Sequence, residues 1–432
     1  MKTWFCLLLV VTTSLHAENW QQWRGPDGQG HASSVQAPIT FGEKQNLAWK
    51  RELPGRGYSS PVIWGDQIWV TTAIEKPASP EEAERRLKAN TGDQPVTVLS
   101  SVLLRAICVD KATGEIQQDI ELLEVRDPQW VHQLNSYASP TPVIEDGRLY
   151  CHFGAFGTVC VDTTSGSPLW RNQENLIQHE NGPGSSPVLW KDLLLFHCDG
   201  SDQQYITALD KTTGKTVWKT TRSGEMHANP QQKKAYGTPL VADLNGIPTA
   251  ISTGADWLYG YDPATGKELW KVAYGQLGFS MSPRPVVGNG MIYFSTSFSP
   301  PTMFALKYEG LKTPEVAWSS KKNAPSIPSP LLVGKELYFV NDGGILSCLD
   351  ALTGDEVYRE RLGGKFTSSL THAGGHIYAC SREGVVTVVK AGREFGVVAT
   401  NNLDGGIYSS PAIVDEALFL RTDKALYRFK RN

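Results

Sequence analysis

The chain lacks the marks of most catalytic folds. Its 432 residues contain no His-Glu-x-x-His, no Gly-x-Ser-x-Gly, no P-loop and no Rossmann glycine pattern. There is no Cys-x-x-Cys, so thiolate zinc chemistry is not expected, and no metal site is predicted. His372 and His376 lie four apart, but in His-Ala-Gly-Gly-His, a turn between strands rather than a helix. Asp243-Leu-Asn245-Gly246 lacks the further acids of a calcium loop. Excess charge of one sign is missing too. The formal charge is −3, and with no basic stripe nucleic acid is not an expected partner. Beyond residues 1–17 no apolar run is long enough to cross a bilayer, so no membrane span is expected.

What is abundant is turn and aromatic chemistry: 41 Gly, 26 Pro and 13 Trp. The stretch Ala208-Leu-Asp210-Lys-Thr-Thr213-Gly214-Lys-Thr-Val-Trp218 recurs. Copies run from Gly260 to Trp270, Cys160 to Trp170, Cys348 to Tyr358 and Cys108 to Gln118. Self-similarity of this kind marks a repeat architecture. In each copy Asp braces a turn, Gly takes the backbone conformation other residues resist, and β-rich flanks form a hairpin. The final aromatic is read as the docking anchor between neighbouring units. Those anchors are Trp49, Trp170, Trp218, Trp270, Trp318 and Tyr358.

Eight strand openings recur, at Ser60, Thr141, Ser186, Thr238, Arg284, Ser329, Ser368 and Ser410; six read Ser/Thr-Pro-apolar, while Arg284-Pro285-Val286 and Ser368-Ser369-Leu370 vary the pattern. From the second onward they are spaced by 39–52 residues, the length of a four-stranded blade. The expected fold is therefore all-β, an eight-bladed antiparallel β-propeller over residues 46–432. Asn46 to Leu53 resembles a lone Trp-bearing outer strand, and the C-terminus supplies three strands without one. Pairing the two completes the eighth blade and closes the ring, which removes the open sheet edge. The long first step places an insertion at about 74–100 in blade one. Ser79-Pro80-Glu81-Glu82 reads there as a capping box opening a short helix, stopped at Asn90-Thr91-Gly92. Residues 18–45 read as an irregular arm pinned to the propeller surface by Trp20 and Trp23. Residues 1–17 read as a secretory signal, with Lys2, an apolar Phe5–Val11 and Ala17 at the cleavage site. Cys6 precedes the apolar region and so cannot be a lipoprotein acylation site. The expectation is an exported protein, periplasmic or extracellular, and monomeric.

These residues resemble the pyrroloquinoline-quinone-type repeat family, whose docking motif pairs a small residue, Gly and Trp at positions one, seven and eleven. The match is direct at Ala208/Gly214/Trp218 and Gly260/Gly266/Trp270, and holds with Cys at Cys160/Gly166/Trp170. Trp23-Arg24-Gly25-Pro26 also resembles the opening of secreted bacterial propellers of this kind, which are similar to the propeller protein of the outer-membrane barrel-assembly machine. The resemblance implies two functions. One is a non-catalytic scaffold that binds a partner protein or a small ligand. The other is a quinone-dependent oxidoreductase with pyrroloquinoline quinone and calcium in the channel, a catalytic Asp and a vicinal disulfide. Adjacent cysteines do not occur here, and no residue can be assigned as the Asp or a calcium ligand. The scaffold reading is therefore preferred, with no catalytic residue and no cofactor expected.

Two constellations remain. Aromatics stand just before the opening strands at Tyr58, Tyr137, Tyr236, Phe279, Phe366 and Tyr408, with Arg56, His132, His179 and Arg284 on or near the same loops. They form either a ligand-binding rim at the channel mouth or repeat-derived packing between blades. Separately, a two-residue turn at Ala155-Phe156 places Cys151 opposite Cys160, so a disulfide is open in an oxidising compartment. Against it, Cys160 occupies the small buried docking slot.

Overall fold

The computed structural model describes residues 18–33, 36–88, 96–275, 278–298 and 300–431. The signal-like residues 1–17 lie outside that set. Each repeat turn is built as its residue types require. The Asp210 carboxylate accepts from Thr212 N, Thr213 N and the Thr213 hydroxyl at 2.7–3.1 Å. Gly214 N closes the turn on Asp210 O at 2.8 Å, and Gly214 sits at φ +72°, where a side chain is strained. Equivalent bonds recur at Asp110, Asp162, Asp262 and Asp350.

Position one of the motif is small because the aromatic of its own blade lies across the ladder from it. Ala208 pairs with Trp218, Gly260 with Trp270, Cys160 with Trp170 and Cys348 with Tyr358. The indole then reaches the next blade. Trp49 packs on Gly114, Trp170 on Gly214, Trp218 on Gly266 and Trp318 on Gly354. Each indole N–H donates to the carbonyl just after that blade's Asp: Lys111, Lys211, Pro263 and Ala351, at 2.9–3.2 Å. Gln118 makes the same bond in place of Trp, from Nε2 to Thr163 O at 2.9 Å. Trp270 and Tyr358 face blades without the motif turn. Trp270 is buried in the core, and Tyr358 meets Phe395 edge-on at 5.5 Å.

Eight antiparallel four-stranded sheets result. Blade one is Val62–Trp64, Gln67–Pro77, Leu99–Asp110 and Ile116–Arg126, and the others repeat its order. The second and third strands of a blade are almost wholly buried, while the outer strand is the most exposed. Apolar clusters sit between adjacent blades; one joins Val62, Trp69 and Ala106 to Ile144, Cys151 and Val159. Blade eight is completed by Leu47–Glu52 pairing outside Ala425–Lys430, with Trp49 opposite Arg428. The ring is thus closed by the two chain ends.

Three features differ from the sequence reading. In blade one the ladder runs on to Pro77 opposite Leu99, so the ends of the expected insertion are strand. The helix is Pro80–Leu87, its N-terminus capped by Ser79 Oγ accepting from Glu82 N. The Glu82 carboxylate bonds Arg85 at 2.7 and 2.8 Å rather than closing the box. The expected stop at residues 90–92 lies outside the described residues. The second difference is at the cysteines. A single 3₁₀ turn at Gly154–Phe156 shifts the register by one, pairing Cys151 with Val159 and Tyr150 with Cys160. A one-residue slip turns a side chain to the other sheet face. Cys151 enters the core toward blade one and Cys160 the core toward blade three, so the Cys151–Cys160 disulfide does not form. The third is the arm, which is not a surface tail.

Candidate functional site

The arm plugs the channel. Trp20 exchanges both backbone hydrogen bonds with Ile63 in blade one, and Gln21 O accepts from Ile144 N in blade two. Arg24 then donates from Nη2 to Pro330 O in blade six at 2.6 Å. Blades one and two stand opposite five and six in a ring of eight, so these few residues cross the axis. Gly30 and Ala32 pair with His372 in blade seven. The plug holds because Trp23-Arg24-Gly25 makes a tight turn: Gly25 has φ +82° and lies against the Trp20 ring.

The opening Ser and Thr residues form a circumferential belt. The backbone N–H of one donates to the hydroxyl of the next: Ser60 to Thr141, Thr141 to Ser186, Ser186 to Thr238, each at 2.9 Å. On the far side Arg284 N donates to Ser329, Ser329 to Ser369, Ser369 to Ser410 and Ser410 back to Ser60, at 2.9–3.1 Å. The belt is broken only where Arg284 supplies no hydroxyl to Thr238. Instead the buried Arg284 guanidinium donates to Pro239 O, Trp23 O and Gly28 O at 3.0–3.1 Å, which anchors the plug. Burial, with the neighbouring Arg24 charge, pushes its pKa down to about 9 against the pull of Asp27.

Connections from outer strand to next inner strand gather on the face opposite the arm. There a cavity of about 410 Å³ narrows into a throat of about 150 Å³, and Trp23 lines both. The funnel is therefore blind. Of the rim residues read from sequence, His132, Tyr236 and Phe279 line the outer part, and Tyr58 and Tyr408 the throat. Tyr58 and Tyr408 stack at 4.1 Å and 10°. Phe279 faces Phe298 at 6.1 Å. The other five are not in the wall. Arg56 donates to the Tyr58 hydroxyl and to Asn135 O, holding the rim from behind. Tyr137 is buried and donates to Gln129 O at 2.9 Å. Phe366 is core between blades six and seven. Arg284 belongs to the plug.

His179 lies behind Tyr236, whose hydroxyl donates to His179 O at 2.6 Å. With His152 and His197 it lines a buried void of about 20 Å³. Burial pushes His152 and His179 down to about 3, and burial with the Arg222 charge holds His197 well below its ordinary value. All three are neutral at pH 7. Both His179 ring nitrogens, and Nε2 of the other two, lack a protein partner. A void of this size accepts one water, the ordinary means of satisfying such atoms.

Sequence reasoning missed the belt, the plug, Phe298, Ile327 and Thr367. The recurring Ser/Thr before Pro was the available signal for the belt. The plug had none, because its partners lie hundreds of residues away.

The family model described as "Outer membrane protein assembly factor BamB" matches residues 42–220, 155–297 and 202–432. The chain belongs to this family. Among solved structures, BamB from Moraxella catarrhalis is 14% identical with a TM-score of 0.56, covering 78% of this chain and 100% of that one. A europium-containing methanol dehydrogenase is 11% identical, TM-score 0.55, covering 96% and 98%. The quinohemoprotein alcohol dehydrogenase of Comamonas testosteroni is 11% identical, TM-score 0.59, covering 95% and 80%. These likenesses establish the propeller and nothing finer. A tetrathionate hydrolase of Acidithiobacillus ferrooxidans is 22% identical over 261 residues, 58% of this chain. The chain spans about half the length of that curated relative. No helix among the described residues is long and apolar enough to cross a membrane.

Proposed function

We propose that the chain is an exported, non-catalytic BamB-family propeller that holds a ligand, or an inserted part of a partner, in its blind funnel. The carrying observation is the wall itself. Among the described residues it is aromatic, aliphatic and neutral polar, with no Asp, Glu, Lys or Arg. Export rests on the signal pattern of residues 1–17.

The likeness to two dehydrogenases favours a second reading, oxidation by pyrroloquinoline quinone with calcium. That quinone carries three carboxylates, and calcium takes hard oxygen ligands, carboxylates above all. Among the described residues the funnel wall offers no Lys or Arg for the first and no acid for the second. Among the described residues no group of three or more His, Cys, Asp or Glu is placed to hold a metal. The residues do not fit the pair, and we propose that neither acts as a working cofactor. The test is to add quinone and calcium to the protein and follow dye reduction with a panel of alcohols and aldoses. The expected rate equals that of the quinone-free control. Turnover well above it promotes the oxidoreductase.

A further inference from the structure

We propose that the funnel receives the uncharged end of a carbohydrate chain. This rests on the binding reading above and adds the class of ligand. Charged residues make up 20% of the sequence, yet none of the described ones lines the funnel, so the occupant is neutral where it is buried. The funnel is also blind. The arm at Trp23 leaves no exit, so a polymer enters by its end rather than threading through. A peptide end carries an ammonium or a carboxylate, and a nucleic-acid end commonly carries phosphate. Either would be buried here without a counter-charge. A neutral glycan end presents only hydroxyls and C–H faces.

The wall supplies a match for both. Flat rings stand at three depths: Phe279 with Phe298 at the mouth, stacked Tyr58 and Tyr408 in the throat, and Trp23 at the floor. The C–H face of a sugar ring packs against such surfaces. Hydroxyl partners come from the belt. Ser60, Thr141, Ser186 and Thr238 each accept a backbone N–H, and no acceptor among the described residues takes their own protons. Thr367 Oγ1, also in the wall, is buried without any partner. A bound hydroxyl would give this orphaned atom its missing partner. The volume of about 410 Å³ is that of a small-molecule site.

The test titrates the full chain with maltotriose, cellotriose and N,N′-diacetylchitobiose, against trigalacturonate as the charged control, by calorimetry and tryptophan fluorescence. At least one neutral sugar is expected to bind saturably, and trigalacturonate to bind about tenfold or more weaker. Phe279→Ala and the more exposed Phe298→Ala are each expected to weaken binding about tenfold at unchanged melting temperature. The proposal is overturned if no neutral sugar binds, or if binding survives both Phe substitutions. A protein captured from the exported fraction and lost with Phe298→Ala, without sugar binding, overturns the carbohydrate and leaves the scaffold reading standing. Quinone-dependent turnover overturns both.

Discussion

At the scale of single residues, the repeat is a set of paired small-for-large accommodations. Gly266 is the clearest. It holds φ +71°, and a Cβ there would meet the Trp218 ring at 2.4 Å. Gly266→Ala therefore combines a left-handed backbone with a clash against the indole that docks blade three on blade four. The left-handed conformation alone costs roughly 1–2 kcal/mol, and the displaced indole adds to it. Chemical denaturation should report a loss above about 1 kcal/mol together with a changed tryptophan emission. Unchanged stability would mean that the indole does not lie on this glycine. The cysteines show the limit of counting from a turn. The residue types around Ala155-Phe156 suited a hairpin, but the size of the loop set the register, and one residue sent Cys151 and Cys160 to opposite faces.

At the scale of elements, the outer strand of blade eight comes from the other end of the chain. Leu47–Glu52 covers Ala425–Lys430, and Trp49 bonds Lys111 O in blade one. Deleting residues 46–53 bares that strand edge and undocks blades eight and one together. The expected outcome is aggregation or a large fall in melting temperature. A deletion variant that melts like the parent contradicts closure by this strand. This element was legible from sequence, because a Trp strand with no blade in front of it and three strands with no Trp strand behind them are both visible in one dimension. The arm was not. Its length and its tryptophans were plain, but its direction across the axis is set by Arg284, Pro330 and His372, which only the closed ring brings to it.

At the scale of the whole molecule, the buried histidines make stability depend on acid. His152, His179 and His197 are neutral in the fold, with values of about 3, about 3 and well below the ordinary one. In the unfolded chain each titrates near 6.5. The unfolded state thus binds more protons below that pH, and stability falls as pH drops from about 6.5 toward 3. Each group contributes up to about 1.4 kcal/mol per pH unit. His31, raised by its bond to Asp27 despite burial, acts in the opposite sense, but it is one group against five, since burial also lowers His132 and brings His372 down to about 4. Arg222, paired with Asp199 at 2.8 Å, keeps a positive charge near His197 throughout. The melting temperature should fall steeply between pH 7 and pH 5. A flat profile there would mean that these rings are solvated or already charged in the native protein.

What the sequence determined by itself is everything carried by local chemistry at a fixed period. Asp, Gly and an aromatic at set spacing dictate the turn, the small slot and the docking contact, so blade number and ring closure follow from one-dimensional repetition. What only the tertiary structure decided is which loop residues meet. Tyr58, Tyr236, Phe279 and Tyr408 line one funnel, whereas Tyr137 and Phe366 occupy equivalent positions in the repeat and turn into the core. The reason is geometric. The inner strands of all eight blades converge on one axis, and which side chains face it depends on the length and path of eight connections that differ in sequence. The arm that makes the channel a blind funnel is held by partners up to 397 residues away in the chain, a distance no local pattern records.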